Sequence, residues 1–271
     1  IRVRGAITQN DSHIYVTPTD LKNELKKVIE LFRDVYSEVG LKDYSFRLSL
    51  PDFKKKENKF GGDKKLWQWA ADELSSVLKE SGLPYTEAIG EAAFYGPKLD
   101  VQFKNVMGKE DTIATAQVDI LVPKRMGLTY VDSTGQKQNP IVIHRAILGS
   151  YERFIAFLLE QTAGRLPLWL APIQAAILTV SEKHKDCADK VTAELKSHKI
   201  RATIFNDNMT LGKKIREAEL QKIPYILIIG DKEITAGSVS VRHSLKGDLG
   251  AMSIIELSHK MENEIKTRSK E

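Results

Sequence analysis

A single cysteine, Cys187, stands in 271 residues. One thiol closes no intrachain disulfide, so a stapled fold is excluded, and a reducing compartment, the cytoplasm, is expected. No apolar run reaches the roughly 20 residues of a membrane-spanning helix, and no membrane partner is expected. No signal peptide is expected. The chain begins at Ile1 rather than Met and is expected to be a piece of something longer. Internal repeats and low-complexity tracts are missing as well. Neither sign of charge dominates: Lys plus Arg number 41 against 36 Asp plus Glu, a formal net charge of +5. That excess favours an anionic partner such as RNA, but only mildly.

What is present suffices for two domains with ordinary cores. Helical stripes run over 20–38 (Leu21, Leu25, Val28, Phe32, Val35, with Asp20 as a possible cap) and through Trp67, Ala70, Leu74, Val77 and Leu78. Tyr44 to Leu50 alternates as a half-buried strand. Leu99, Val101 and Phe103 alternate, Gly108 turns the chain, and Ile113 to Leu121 returns, an antiparallel hairpin. Further strands are expected near 128–132 and 140–144, so the first half reads as α+β. Pro167 and Pro172 bracket a connector, giving domains at 1–167 and 172–271. Beyond it, strands at 173–180, 200–205, 225–229 and 239–242 alternate with helices at 186–198, 212–221 and 253–268. That alternation predicts a mostly parallel sheet covered on both faces.

Three segments carry candidate chemistry. His144-Arg145-Ala146-Ile147-Leu148-Gly149-Ser150-Tyr151-Glu152-Arg153 reads as a strand end, a glycine turn and a helix that Ser150 can cap. Arg153, one turn in, can stack on a purine or pair with a phosphate, or simply be an exposed arginine. Arg2-Val3-Arg4-Gly5 precedes Thr8-Gln9-Asn10-Asp11-Ser12-His13, in which Gln9, Asp11 and His13 share a strand face. That face is equally a pocket wall or a solvated edge strand. Tyr95 and Lys98 flank Gly96-Pro97 at the hairpin entrance, and Thr115, Gln117 and Asp119 share the polar face of its return strand.

The string from His144 to Phe154 closely resembles motif 3 of the class II aminoacyl-tRNA synthetases, in the form used by the threonyl branch. Arg2 to His13 resembles the end of their motif 2. The resemblance implies a partial catalytic core of α+β, antiparallel-sheet type, followed by an α/β anticodon-binding domain. It implies a threonine–tRNA ligase, which makes threonyl-adenylate from threonine and ATP and transfers the threonyl group to the 3′ end of threonine tRNA. It assigns Arg2 and Arg153 to the ATP phosphates or adenine, with Mg²⁺ assisting. The substrate pocket would comprise Gln9, Asp11, Tyr95, Lys98, Thr115, Gln117 and Ser150. His13 and His144 would bind a catalytic Zn²⁺, with a cysteine upstream of this chain as third protein ligand. In the second domain Asn208, Arg216, Glu233 and Arg242 match the positions that hydrogen-bond anticodon bases, and Lys222 stands where an arginine is often found.

Family motif 1, the element that makes these enzymes homodimers, has no counterpart here, nor has the motif 2 arginine that grips the α-phosphate. The chain alone is therefore expected to be folded but nearly inactive. The rival reading is a synthetase-like protein without catalysis that binds RNA or regulates. Retention of His13, Asp11, His144 and Arg153 speaks against that rival.

Overall fold

The computed structural model describes residues 5, 7–54, 60–205 and 208–270. It divides the chain into two compact units, Ile1–Gln161 and Thr162–Glu271. No helix among the described residues is long and apolar enough to cross a membrane.

Unit one contains β1 (Gln9–Val16), α1 (Leu21–Glu38), β2 (Tyr44–Leu50), α2 (Lys64–Ser81), β3 (Tyr85–Ile89), β4 (Lys98–Lys104) and β5 (Glu110–Asp119). It continues with the one-turn α3 (Val122–Arg125), the two-residue strands β6 (Tyr130–Val131) and β7 (Lys137–Gln138), β8 (Ile141–Ser150) and α4 (Tyr151–Gln161). Six strands form one sheet in the order β1-β8-β5-β4-β2-β3. Every pairing is antiparallel except β2 with β3. Strand alternation buries Leu99, Val101, Phe103, Ala116, Val118 and Ile143. The Phe103 ring meets Tyr36 of α1 and Phe157 of α4, at 5.2 and 5.1 Å between centroids, so both helices cover that face. Tyr36 is fully buried, donates from its hydroxyl to Ile147 O at 2.8 Å, and burial drives its pKa far above the ordinary phenol value.

The motif at residues 144–150 differs from its expected strand–turn–helix form. β8 runs unbroken from Ile141 to Ser150, directly into α4. Gly149 lies inside the strand end at φ +61°, and a Cβ there would come within 2.0 Å of Ile113 O on β5. Its glycine answers a close approach between strands, not a turn. Asp20 stands at the N-cap of α1, but its carboxylate makes no capping bond and accepts from Thr17 Oγ1 at 2.6 Å instead.

Unit two contains β9 (Ala175–Thr179), a 3₁₀ turn (Glu182–His184), α5 (Lys185–Ser197), β10 (Ala202–Phe205), α6 (Leu211–Leu220) and β11 (Tyr225–Ile229). Then come α7 (Asp231–Ala236), β12 (Val239–His243), β13 (Gly247–Met252) and α8 (Ile254–Lys266). The sheet order is β10-β9-β11-β12-β13. One face packs on α5 and α8 through Ile177, Leu227, Val191, Leu195, Leu257 and Met261. The other packs on α6 through Ala176, Leu178, Ile226 and Ala218. The expected mostly parallel sheet is mixed: β10-β9-β11 is parallel, whereas β12 and β13 add antiparallel. The link from Ile229 to Val239 is too short for a parallel crossover, which takes a dozen or more residues. The unit begins ahead of the expected connector, because Leu168 is buried in its core and Arg201 holds Trp169 O and Ala171 O at 3.0 and 2.8 Å.

His243 joins two parts of this unit. Its ring meets Tyr225 at 4.9 Å, and its Nδ1 accepts from the N–H groups of Leu245 and Lys246, both at 3.2 Å. The acceptor role requires the neutral ring. Burial, with Lys246 and Lys260 nearby, holds its pKa below the ordinary 6.5. The unfolded chain therefore binds this proton more readily than the folded one. Stability is full above 6.5 and declines as pH falls through 6.5 toward the lowered value. Urea midpoints measured from neutral to mildly acid pH should fall more steeply for the natural chain than for His243→Asn, whose amide oxygen stands in for Nδ1. Parallel curves would clear His243 of that role.

Candidate active site

The antiparallel register lays out the uncovered face of the first sheet as two rows. One runs His13, His144, Gln117, Lys98, Ser49, each paired with the next across β1, β8, β5, β4 and β2. The other, two residues along each strand, runs Asp11, Ala146, Thr115, Asp100, Arg47. Residues as distant in sequence as Asp11 and Ala146 thus become neighbours through strand pairing alone.

At the β1 end the rings of His13 and His144 meet edge to face, 4.6 Å between centroids. His144 Nε2 is 3.0 Å from Asp119 Oδ2, while Asp119 Oδ1 accepts from the N–H groups of Leu121 and Val122 at 3.0 and 2.8 Å. One buried carboxylate therefore starts α3 and fixes the imidazole, leaving Nδ1 of His144 for another partner. Tyr95 lies against His144 at 5.1 Å and donates from its hydroxyl to Gln117 Oε1. Burial, with Asp119 and Asp11 nearby, holds the Tyr95 phenol above its ordinary pKa, so it serves as a neutral hydrogen-bonding group. Gly96 follows because the chain there crosses β5 closely; a Cβ would meet Val118 O at 1.7 Å.

At the other end Asp100, 1% exposed, is fully engaged. Its Oδ2 accepts from Lys98 Nζ at 2.5 Å, Ser49 Oγ at 2.9 Å and Arg47 Nη2 at 3.2 Å, and its Oδ1 from Thr115 Oγ1 at 3.1 Å. A buried carboxylate between two cations meets the condition for burying charge at all. Sequence reasoning missed Asp100, Arg47 and Ser49. Their signal was parity: Asp100 shares a strand face with Lys98, and the hairpin register sets it opposite Thr115.

Between these corners lies a cleft of about 390 Å³. Gln9, Asp11, Tyr95, Thr115, Gln117, His144, Ser150 and Arg153 all line it. His13 stands beside it through its contact with His144. Lys98 is on the same face, its ammonium turned onto Asp100. Arg2 lies outside the described residues. Ser150 does not cap α4; its buried hydroxyl has no hydrogen-bond partner and lines the cleft wall. The first turn of α4 is tied instead by Thr8, whose N–H donates to Glu152 Oε2 at 2.8 Å and whose carbonyl accepts from Tyr151 N at 3.0 Å.

The second unit's candidates are more dispersed. Asn208 precedes α6 and Arg216 is exposed on it. Arg242 Nη2 lies 3.8 Å from Glu219 Oε1. Glu233 holds Gly230 N–H at 2.9 Å and Ser240 Oγ at 3.0 Å, one per carboxylate oxygen, so it anchors the start of α7. Among the described residues, no hydrogen bond or ion pair joins any two of these four.

Residues 1–162 match the family described as "tRNA synthetase class II core domain (G, H, P, S and T)", and residues 174–264 match "Anticodon binding domain". The chain belongs to the class II tRNA synthetases. Over 242 residues, 89% of the chain, it is 52% identical to the threonine–tRNA ligase of Staphylococcus carnosus (strain TM300) and 50% identical to that of Staphylococcus aureus (strain JH9). The chain spans 37% of the length of each. The RNA binding domain of threonyl-tRNA synthetase from Cryptosporidium parvum Iowa II aligns with a TM-score of 0.83 and 32% identity, over 95% of this chain and 63% of that one.

The two histidines suit part of a zinc donor set. They are adjacent imidazoles, and His144 carries the carboxylate behind its distal nitrogen that metal-binding histidines ordinarily have. A catalytic zinc ordinarily takes three protein ligands. Among the described residues no third histidine, cysteine or carboxylate joins this pair in a ligand group.

Proposed function

We propose that the protein is a threonine–tRNA ligase, which converts threonine and ATP to threonyl-adenylate with release of pyrophosphate and passes the threonyl group to threonine tRNA with release of AMP. The observation that carries this reading is the row His13–His144–Gln117 with Asp11 beside it. It puts imidazoles, a carboxylate and an amide against one small cleft, as recognition of a short hydroxylated amino acid demands. His13 and His144 would hold Zn²⁺ with a cysteine from outside this chain, and the ion would supply Lewis-acid binding of the threonine amine and hydroxyl. Asp119 keeps the His144 ring in place. Asp11 would accept from the threonine hydroxyl, and Gln117, braced by Tyr95, would position the amino acid. Valine, lacking the hydroxyl, would leave buried polar groups unpaired and be rejected. Arg153 would neutralise ATP phosphates or stack on adenine, with Mg²⁺ accompanying the nucleotide. The free Ser150 hydroxyl is a further donor toward that ligand. In-line attack of the carboxylate on the α-phosphate then needs positioning and charge neutralisation rather than covalent catalysis. Threonine-dependent exchange of pyrophosphate into ATP, absent with valine, tests the reading in a protein extended to its relatives' length.

Unit two is proposed to bind the anticodon of threonine tRNA, with Arg216 the cleanest probe because its side chain is exposed. Arg216→Ala should weaken threonine-tRNA binding by about 1–3 kcal/mol if it loses a base contact, roughly five- to 150-fold in Kd. Filter binding against a tRNA with an altered anticodon supplies the control. That tRNA should bind weakly whether or not Arg216 is present. An equal loss for both tRNAs would count against base reading by this residue.

A further inference from the structure

His198, His259 and Glu262 form a second cluster of metal-ligating side chains, within unit two. His198 is the C-terminal cap residue of α5, and His259 and Glu262 are one turn apart on α8. His198 Nδ1 is 3.0 Å from Glu262 Oε2, and His259 Nδ1 is 3.9 Å from the same oxygen. The three ligand atoms all lie within 4.8 Å of one another. The histidine rings stand edge to face, 5.3 Å between centroids.

We propose that these three side chains bind Zn²⁺, clasping the end of α5 to α8. Zinc takes imidazole nitrogen and carboxylate oxygen at about 2.0–2.2 Å in a tetrahedron, whose edges are then about 3.4 Å. The observed separations straddle that length, and His259, with a side chain 66% exposed, is free to close the remaining gap. His198 also has a carboxylate behind it: its Nε2 lies 3.4 Å from Glu194 Oε1, so the ring is oriented with Nδ1 toward the site. The negative end of the α5 dipole lies at His198 and favours a cation there. Two neutral donors and one carboxylate leave a fourth position for water, and they suit zinc better than the all-oxygen cations Mg²⁺ or Ca²⁺. Nothing in the proposed ligase reaction uses this cluster. The bond it would add lies between two helices that already share a core, so its effect is on the stability of unit two.

The test uses the full chain carrying His144→Ala, which disables the histidine pair of the cleft. Titration with Co²⁺ followed by visible absorption, and with Zn²⁺ by calorimetry, should show one saturable ion per chain. Zn²⁺ should raise Tm and Mg²⁺ should not. Adding His259→Ala should weaken binding at least tenfold and abolish the Tm response, with little change in Tm when metal is absent. Adding Glu262→Gln should also weaken binding. Ring resonances of His198 and His259 should shift on Zn²⁺ addition. Absence of a saturable ion in the His144→Ala chain, or binding unchanged by His259→Ala, would overturn the proposal and leave the cluster as an ion-pair contact between helices.

Discussion

Assayed alone for threonine-dependent pyrophosphate exchange, residues 1–271 are expected to fall at least 10²–10³-fold below the Staphylococcus carnosus ligase, of which the chain spans 37%. The cleft shows why. Its described lining offers one guanidinium, Arg153, to the proposed reaction, which would gather three phosphates and a carboxylate at one point. Loss of a single preorganised electrostatic contact to a reacting group commonly costs about 10²–10³ in rate. The histidine pair compounds the deficit, since two protein ligands hold a catalytic zinc poorly. Folding should survive, because the helix-covered face of the sheet is packed without any of these groups. Circular dichroism and a cooperative melt would confirm that, while exchange rates comparable to the ligase would sink the explanation.

The second large effect is expected from His144→Ala in a protein extended to the length of the curated relatives. Such a protein should carry about one zinc per chain at the cleft, and the substitution should remove it together with threonine activation. His144 is the shared element of the site: its Nε2 meets Asp119, its ring packs on both His13 and Tyr95, and it borders Gln117 in the row. Asp119→Asn is the informative companion. Its single amide oxygen cannot accept both from the ring and from the Leu121 and Val122 N–H groups, and the charge behind the ring is removed, so zinc affinity should drop by roughly 10–100-fold without being abolished. A His144→Ala protein with no zinc at the cleft that still activates threonine at the natural rate would refute the assignment.

Much of the site was legible in advance because strand parity is a local property. Gln9 and Asp11, or Thr115 and Gln117, share a face whatever the strand is paired with. What parity cannot supply is the partner strand. Asp100 alternates with Leu99 and Val101 in the manner of a solvated polar face, and only pairing with β2, some fifty residues earlier, reveals that Arg47 and Ser49 enclose it. Gly149 was misread for a related reason: its role is set by Ile113 O on a different strand. β13 was missed since Gly247 and Gly250 give it the composition of a loop. The helices were clearer, because a helix carries its hydrogen bonding within itself and its apolar stripe repeats along the chain.

The two polar rows have a consequence for how this protein tolerates change in length. β5 and β8 present catalytic candidates on one side and core residues on the other, so a single inserted residue would exchange the two sets beyond that point. Ala116 and Ile143 would face the cleft while Gln117 and His144 faced α1 and α4. An insertion of two residues preserves the alternation and only slides the rows. A one-residue irregularity is already accommodated beside the cleft, at Ile113, where β5 slips against β4 between the pairs Val101–Ala114 and Gln102–Thr112. Length variants of this sheet should therefore survive in steps of two, at that slip, or where β8 departs from the β1 register between Ala146 and Ser150.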